Sequence, residues 1–219
     1  MPDQLAFDWP TGVALGPDDF FVSEANAQAF SMLATPDTWP EKKLALIGPK
    51  GSGKSHLARV FQAQSDALLI AANAFAPDFK TDIPTVIVED MEMLPTGSEE
   101  ALFHLHNNMR AAGGTLLLTS LQPPSRWPIR LPDLASRMQA TTVVQIANPD
   151  DALLSALIMK LFSDRQINPQ PDLVKYLSSR IERSFAAAAA IVERLDAAAL
   201  AQGRKINKSL AAELLDNAD

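Results

Sequence analysis

Five short runs of aliphatic residues punctuate the first two thirds of the chain: LALI (44–47), ALLIA (67–71), TVIV (85–88), TLLLT (115–119) and TVVQI (142–146). They are almost continuously apolar instead of alternating, the pattern of strands covered on both faces. The spacing between them predicts helices. One begins at Lys54; another begins after Ser98, with Glu99 and Glu100 in its first turn, and stops at Gly113-Gly114. Strand–helix alternation implies parallel pairing and a three-layer α/β domain.

After Pro149 the pattern changes. DDALLSALIMKLFSDR, PDLVKYLSSRI, SFAAAAAIVERLDAAALAQG and NKSLAAELLDN each carry a helical period, with no strand signal among them. Pro171 and Ser184 are placed as helix starts and Gly203 as a stop. The expected organisation is therefore an N-terminal segment over 1–19, an α/β domain over 20–148 and a small all-helical domain over 149–219. The first segment, expected to be flexible, is unusual. In QLAFDW the large apolar residues Leu5, Phe7 and Trp9 stand at strand spacing before any folded element. They either tuck against the protein's own sheet or reach into a partner.

Composition narrows the classes. At 219 residues, 47% hydrophobic and 21% charged, the chain has material for one or two cored domains. No apolar run approaches the roughly 18 residues of a membrane span, so no membrane association is expected. The basic-then-apolar pattern of a secretion leader is missing. Cysteine is absent, which excludes disulfides and thiolate metal sites and fits a cytoplasmic protein. The formal charge of −7 opposes broad attraction to a polyanion, so any action on DNA is expected to be indirect.

GPKGSGKS (48–55) follows LALI directly and opens a helix, the setting required of the G-x-x-x-x-G-K-[ST] pattern. Gly48, Gly51 and Gly53 let the backbone of Gly48, Pro49, Lys50, Gly51, Ser52 and Gly53 turn N–H groups toward phosphate oxygens, and the helix adds its dipole. Lys54 would reach the β/γ-phosphates and Ser55 would hold magnesium; the binding set extends to His56. TVIVED brings Glu89, for the metal shell, and Asp90, for the attacking water, to the end of a neighbouring strand. The usual order puts Asp first, and this inversion leaves binding plausible while weakening intrinsic hydrolysis. Thr119 or Ser120, at the end of the next strand, is a candidate for the γ-phosphate or the water, although strand ends often carry hydroxyls for turn chemistry. His104 and His106 are two apart on a predicted helix, so they face different ways and share no metal. Trp39 and Trp127 are read as packing groups, and RWPIR (126–130) as a partner surface or a solvated loop.

Phosphate loop, acidic pair, polar strand end and helical lid together resemble an AAA+ P-loop NTPase module with a parallel five-stranded sheet flanked by helices. FFVSEANAQAFSML (20–33) resembles the adenine-pocket segment of DnaA-type initiators, which implies nucleotide contacts at Phe21 and Asn26. RLPDLASRM (130–138) resembles the arginine-finger segment, and QLAFDW the sliding-clamp-binding motif, of the Hda-like regulators within the DnaA-related AAA+ family. The resemblance covers essentially the whole chain.

It implies a regulator of chromosomal replication initiation that holds ADP or ATP with Mg2+. Such a protein docks on the clamp through Gln4, Leu5, Phe7 and Trp9, and offers Arg137 in trans to the nucleotide of the DnaA initiator, preventing over-initiation. It meets DNA only through the clamp, at the bacterial nucleoid, and homo-oligomers are possible. A bland reading of Arg137, pairing with Asp133 on a surface helix, stands beside this. Two features depart from the family, the Glu89-Asp90 order and the missing lid arginine. Ala186 stands where the lid normally carries a nucleotide-sensing arginine, with Arg183 nearly a turn earlier. Weak turnover is therefore expected, the nucleotide serving as a structural element. The short stretch AQSDALLIAANAFAPDFKTDIP leaves no room for the initiators' extra helix, and no helix-turn-helix follows the lid, so direct duplex reading is not expected. The rival functions are an independent ATPase of the helicase-loader type and an AAA+ scaffold without finger activity.

Overall fold

The computed structural model describes residues 20–216. The QLAFDW motif, with Gln4, Leu5, Phe7 and Trp9, lies outside the described residues. Five parallel strands, β1 (Lys43–Ile47), β2 (Leu68–Ala71), β3 (Thr85–Glu89), β4 (Thr115–Ser120) and β5 (Thr142–Gln145), form one sheet in the order β2-β3-β4-β1-β5. Helices α1 (Ala27–Leu33) and α2 (Lys54–Ser65) supply one covering layer, and α3 (Glu99–Ala112) and α4 (Pro132–Gln139) the other.

The apolar runs explain the layering. In successive residues of a strand the side chains alternate faces. Leu44, Leu46, Ile87, Leu117 and Val144 pack with Leu57, Phe61 and Trp39 on one side. Ala45, Val86, Val88, Leu116 and Leu118 pack with Leu102, Leu105, Leu134 and Trp127 on the other. Both tryptophans are buried packing groups, as expected. The central strands are buried throughout, but the edge strands are not. All four residues of β2 are half-buried, and β5 leaves Val143 and Gln145 exposed. Apolar content overstated their cover because an edge strand has one neighbour, not two.

The lid consists of α5 (Asp151–Ser163), α6 (Pro171–Ser178), α7 (Phe185–Gln202) and α8 (Lys208–Asp216). Pro171 opens α6 and Ser184 caps α7, as read, and Asp150 caps α5: the Asp150 side chain accepts from the Leu153 N–H, and Ser184 from the Ala187 N–H. Both are N-cap bonds that fill orphan donors of a first turn. Gly203 closes α7 in the left-handed region. Leu154, Phe162, Leu173, Leu177, Ile191 and Leu195 form the lid's own core. Phe185 is different: it starts α7 yet is built into the sheet's core with Leu57 and Ile146. Between α2 and β3 the chain makes only β2 and one short 3-10 turn, with no additional α-helix.

The two histidines of α3 do diverge, His104 exposed and His106 buried. Burial, with the charges of Lys43 and Arg137 nearby, lowers the His106 pKa from 6.5 to about 4, against a side-chain bond with Asn107 and the charge of Glu41. Between those values the unfolded chain carries a proton that the folded one refuses. Stability is therefore expected to fall as pH drops from about 6.5 toward 4, by at most about 3 kcal/mol from this group. Urea unfolding at pH 7 and pH 4.5 checks this: the acid-induced loss should be smaller in His106→Leu than in the unsubstituted protein.

Candidate functional site

The phosphate loop leaves the carboxyl end of β1 and enters α2. Gly51 and Gly53 adopt positive φ angles of 81° and 91°. At Gly53 a Cβ would also come within 2.7 Å of the Phe20 ring, so both backbone and space demand glycine there. Lys54 is 6% exposed, and its ammonium folds back on the loop, donating to the carbonyls of Gly48 (2.8 Å) and Pro49 (3.0 Å). Burial lowers its pKa, while Glu92, Asp90 and Glu89 hold it up. Ser55 is exposed in the first turn of α2, and Lys50 is exposed on the loop.

The acidic strand is not where a neighbouring-strand reading puts it. β4 lies between β1 and β3, so the hydroxyl strand, not the acidic one, adjoins the loop. Ser120 is in register with Ile47, and its carbonyl accepts from the Gly48 N–H at 3.2 Å. Its hydroxyl is already engaged: it donates to Glu92 Oε2 at 2.6 Å and accepts from Trp127 Nε1 at 2.9 Å. The proton expected to serve a phosphate is thus committed to a carboxylate. Thr119 Oγ1 accepts from the Asp90 N–H at 3.2 Å. Glu89 is 8% exposed with Oε1 unpartnered, whereas Asp90 is exposed, in left-handed backbone (φ 57°).

Beside the loop opens a cavity of about 280 Å³, lined by Phe20, Phe21, Asn26, His56, Leu157 and Phe185 among others. His56 stacks on Phe20 at 5.7 Å between ring centroids. Asn26 shapes this wall, its side chain oriented by two backbone bonds. Its amide donates to the Phe21 carbonyl (2.8 Å) and its oxygen accepts from the Ser23 N–H (2.9 Å). Among the described residues, the buried side-chain atoms without a partner are Ser52 Oγ, His56 Nε2, Glu89 Oε1 and His106 Nδ1. Ser52 and His56 belong to the loop and the first turn of α2, and the charge of Glu89 reaches Lys54 from two strands away. Buried polar atoms are rarely left unpaired without a reason. A cavity with a largely apolar lining, a glycine-rich loop at a helix start and unsatisfied polar atoms together fit a nucleotide. Glu89 and Ser55 have the oxygen chemistry that suits magnesium.

Three contributors were not read from the sequence. Glu92 pulls on Lys54 more strongly than either acid of the expected pair, its signal being no more than a third acid two residues along in EDME. Phe20 roofs Gly53, and Phe185 faces Gly51. The lid therefore brings the first residue of α7 against the phosphate loop, the Phe185 Cβ lying toward Gly51 while the residue packs in the sheet's core. Ala186 is exposed, and Arg183 is drawn into an exposed pair with Asp151 at 2.8 Å.

Arg137 stands elsewhere. It is half-buried in the last turn of α4, and its carbonyl accepts from Thr141 Oγ1 just before β5. Thr142 is in register with Leu44 at the amino end of β1. The phosphate loop begins four residues further along that strand, roughly 13 Å away. Arg137 makes no ion pair among the described residues, so the expected alternative partner, Asp133, is not engaged. Glu99, 5% exposed, accepts from the N–H groups of Arg130 and Leu131 (2.6–3.1 Å) and so ties the entry of α4 to α3.

No protein-family model matches the chain. An uncharacterised protein of Haemophilus influenzae is 27% identical over 185 residues, covering 77% of this chain and 79% of its own length. The chromosomal replication initiator DnaA of Cutibacterium acnes is 23% identical over 225 residues. That match covers 90% of this chain but only 45% of the initiator, so the chain spans about half of it. Among solved structures, domain III of Thermotoga maritima DnaA superimposes with a TM-score of 0.72 at 18% identity, covering 90% of this chain and 94% of that one. AMPPCP-bound DnaA of Aquifex aeolicus gives 0.66 at 15% identity, covering 81% and 63%. The fold is that of a DnaA-like AAA+ domain: a parallel five-stranded sheet between helices, with further helices at the carboxyl end. Among the described residues no helix is long and apolar enough to cross a membrane.

Proposed function

We propose that the protein is a nucleotide-holding regulator of replication initiation that lends a catalytic arginine to DnaA while docked on the sliding clamp. The carrying observation is the placement of Arg137. It lies toward the end of the sheet away from its own phosphate loop, and makes no ion pair among the described residues. A guanidinium so placed is out of reach of its own nucleotide and open to a neighbour's.

The resident ADP or ATP would lie with its base in the Phe20–Phe185 slot and its phosphates on the Gly48–Gly53 amides, Lys54 and magnesium. It supplies the charge that Lys54 and the unsatisfied Ser52 answer. With Phe185 instead of an arginine facing the loop, and Ser120 committed to Glu92, slow intrinsic turnover is expected. Gln4, Leu5, Phe7 and Trp9 would dock in the clamp as an extended peptide.

One assay tests the proposal: hydrolysis of initiator-bound ATP with and without this protein and DNA-loaded clamp. Stimulation should need both, and removal of residues 1–9 should cost clamp binding and stimulation together. Rapid ATP turnover by the protein alone would favour the helicase-loader reading, and binding of clamp and nucleotide without stimulation the inert scaffold.

A further inference from the structure

We propose that Phe103 is the positioning residue for Arg137, holding its guanidinium through the ring face so that charge and donors stay available. The inference rests on the role given to Arg137 above. The Arg137 Cζ lies 4.8 Å from the centre of the Phe103 ring, within cation–π range. The ring is itself fixed, packed on the α3–α4 core and edge-on to His104 at 5.7 Å.

Among the described residues no acid pairs with the guanidinium. Lys43 is close enough for Arg137 to depress its proton affinity, so the inward side carries a like charge. The nearby carboxylate, Glu41, is shared by Lys43 and Arg110, each at 3.2 Å. Ring attraction from beneath and like charge from within confine Arg137 to the outer rim.

The choice of an aromatic partner has a chemical consequence. A carboxylate would occupy two of the guanidinium's five donors and cancel its charge. A ring face takes up neither the donors nor the charge, so the N–H fork stays free for phosphate oxygens on a neighbouring subunit. Orientation is gained without neutralisation.

Two variants separate this role from packing: Phe103→Leu removes the π face, and Phe103→Tyr restores it. A third, pentafluorophenylalanine at position 103, keeps ring size but reverses the quadrupole, and so serves even if the leucine variant folds poorly. The Arg137 Nε–H resonance should show an upfield ring-current displacement that Phe103→Leu loses and Phe103→Tyr keeps. In a titration of the initiator's ATP hydrolysis, Phe103→Leu and the fluorinated variant should lower the maximal rate by about two- to fivefold. The half-saturating concentration should not move, and Phe103→Tyr should be close to the unsubstituted protein. An unchanged maximum in Phe103→Leu would overturn the proposal. So would a shifted half-saturation at constant maximum, which marks a mere contact residue, or a raised maximum, which marks a ring that sequesters the arginine. Full stimulation by Arg137→Ala would instead defeat the arginine's role itself, whatever Phe103 does.

Discussion

Arg137→Ala is expected to lower clamp-dependent stimulation of the initiator's ATP hydrolysis by about 10³-fold or more, the scale set by arginines supplied to phosphoryl transfer from outside. Little else should change. The side chain is half-buried, carries no ion pair among the described residues, and gives up only its contact with Phe103. The fold should therefore lose no more than about 1 kcal/mol. Thermal melting and clamp binding measured on the same preparation supply the controls. Stimulation that survived in a well-folded Arg137→Ala protein would remove the central element of the proposed function.

The second large effect is expected at Lys54. Its ammonium is buried and donates to the Gly48 and Pro49 carbonyls. Phosphate oxygens would replace neutral acceptors with charged ones. Bonds to charged groups are worth about 1.5–3 kcal/mol, so Lys54→Ala should weaken nucleotide binding by about 10- to 100-fold. Titration with a fluorescent nucleotide reads this directly. Melting gives a second measure: a ligand at 100 times its Kd adds about 2.7 kcal/mol to the folded state, and the variant should forfeit most of that increment. Equal nucleotide-induced stabilisation in both proteins would show that the loop does not hold the phosphates.

The fold was legible because its rules are local. A strand buried on both faces must be apolar throughout, and LALI, TVIV and TLLLT meet that condition. Ser184 and Gly203 bracket α7 through cap chemistry confined to a few residues. The phosphate loop was legible for the same reason, since Gly51 and Gly53 adopt backbone angles that few other residues tolerate.

What escaped were long-range adjacencies. Strand order decides that Ser120, not Glu89, borders the loop, and no local pattern carries strand order. Glu92 looked like one acid among several until Ser120, 28 residues on, was seen to donate to it. Asn26 lines the cavity as the resemblance implies, but its bonds to the backbone at Ser23 and Phe21, which fix its orientation, come from the fold of the chain and not from its spacing. Phe185 was hidden behind the alanine run that follows it. The position sought there was an arginine's, and an aromatic one residue earlier gave no reason for notice. The stacking of Arg137 on Phe103 joins residues 34 positions apart, beyond the reach of spacing arguments.

Phe185 also ties the molecule's two parts into one thermodynamic unit. A ring that begins a lid helix but completes the sheet's interior cannot be withdrawn without opening both. Heating should accordingly give a single endotherm over the whole of the described fold. Escape of a bound base should be limited by the same prying motion that lifts this ring, so nucleotide exchange should quicken steeply with temperature.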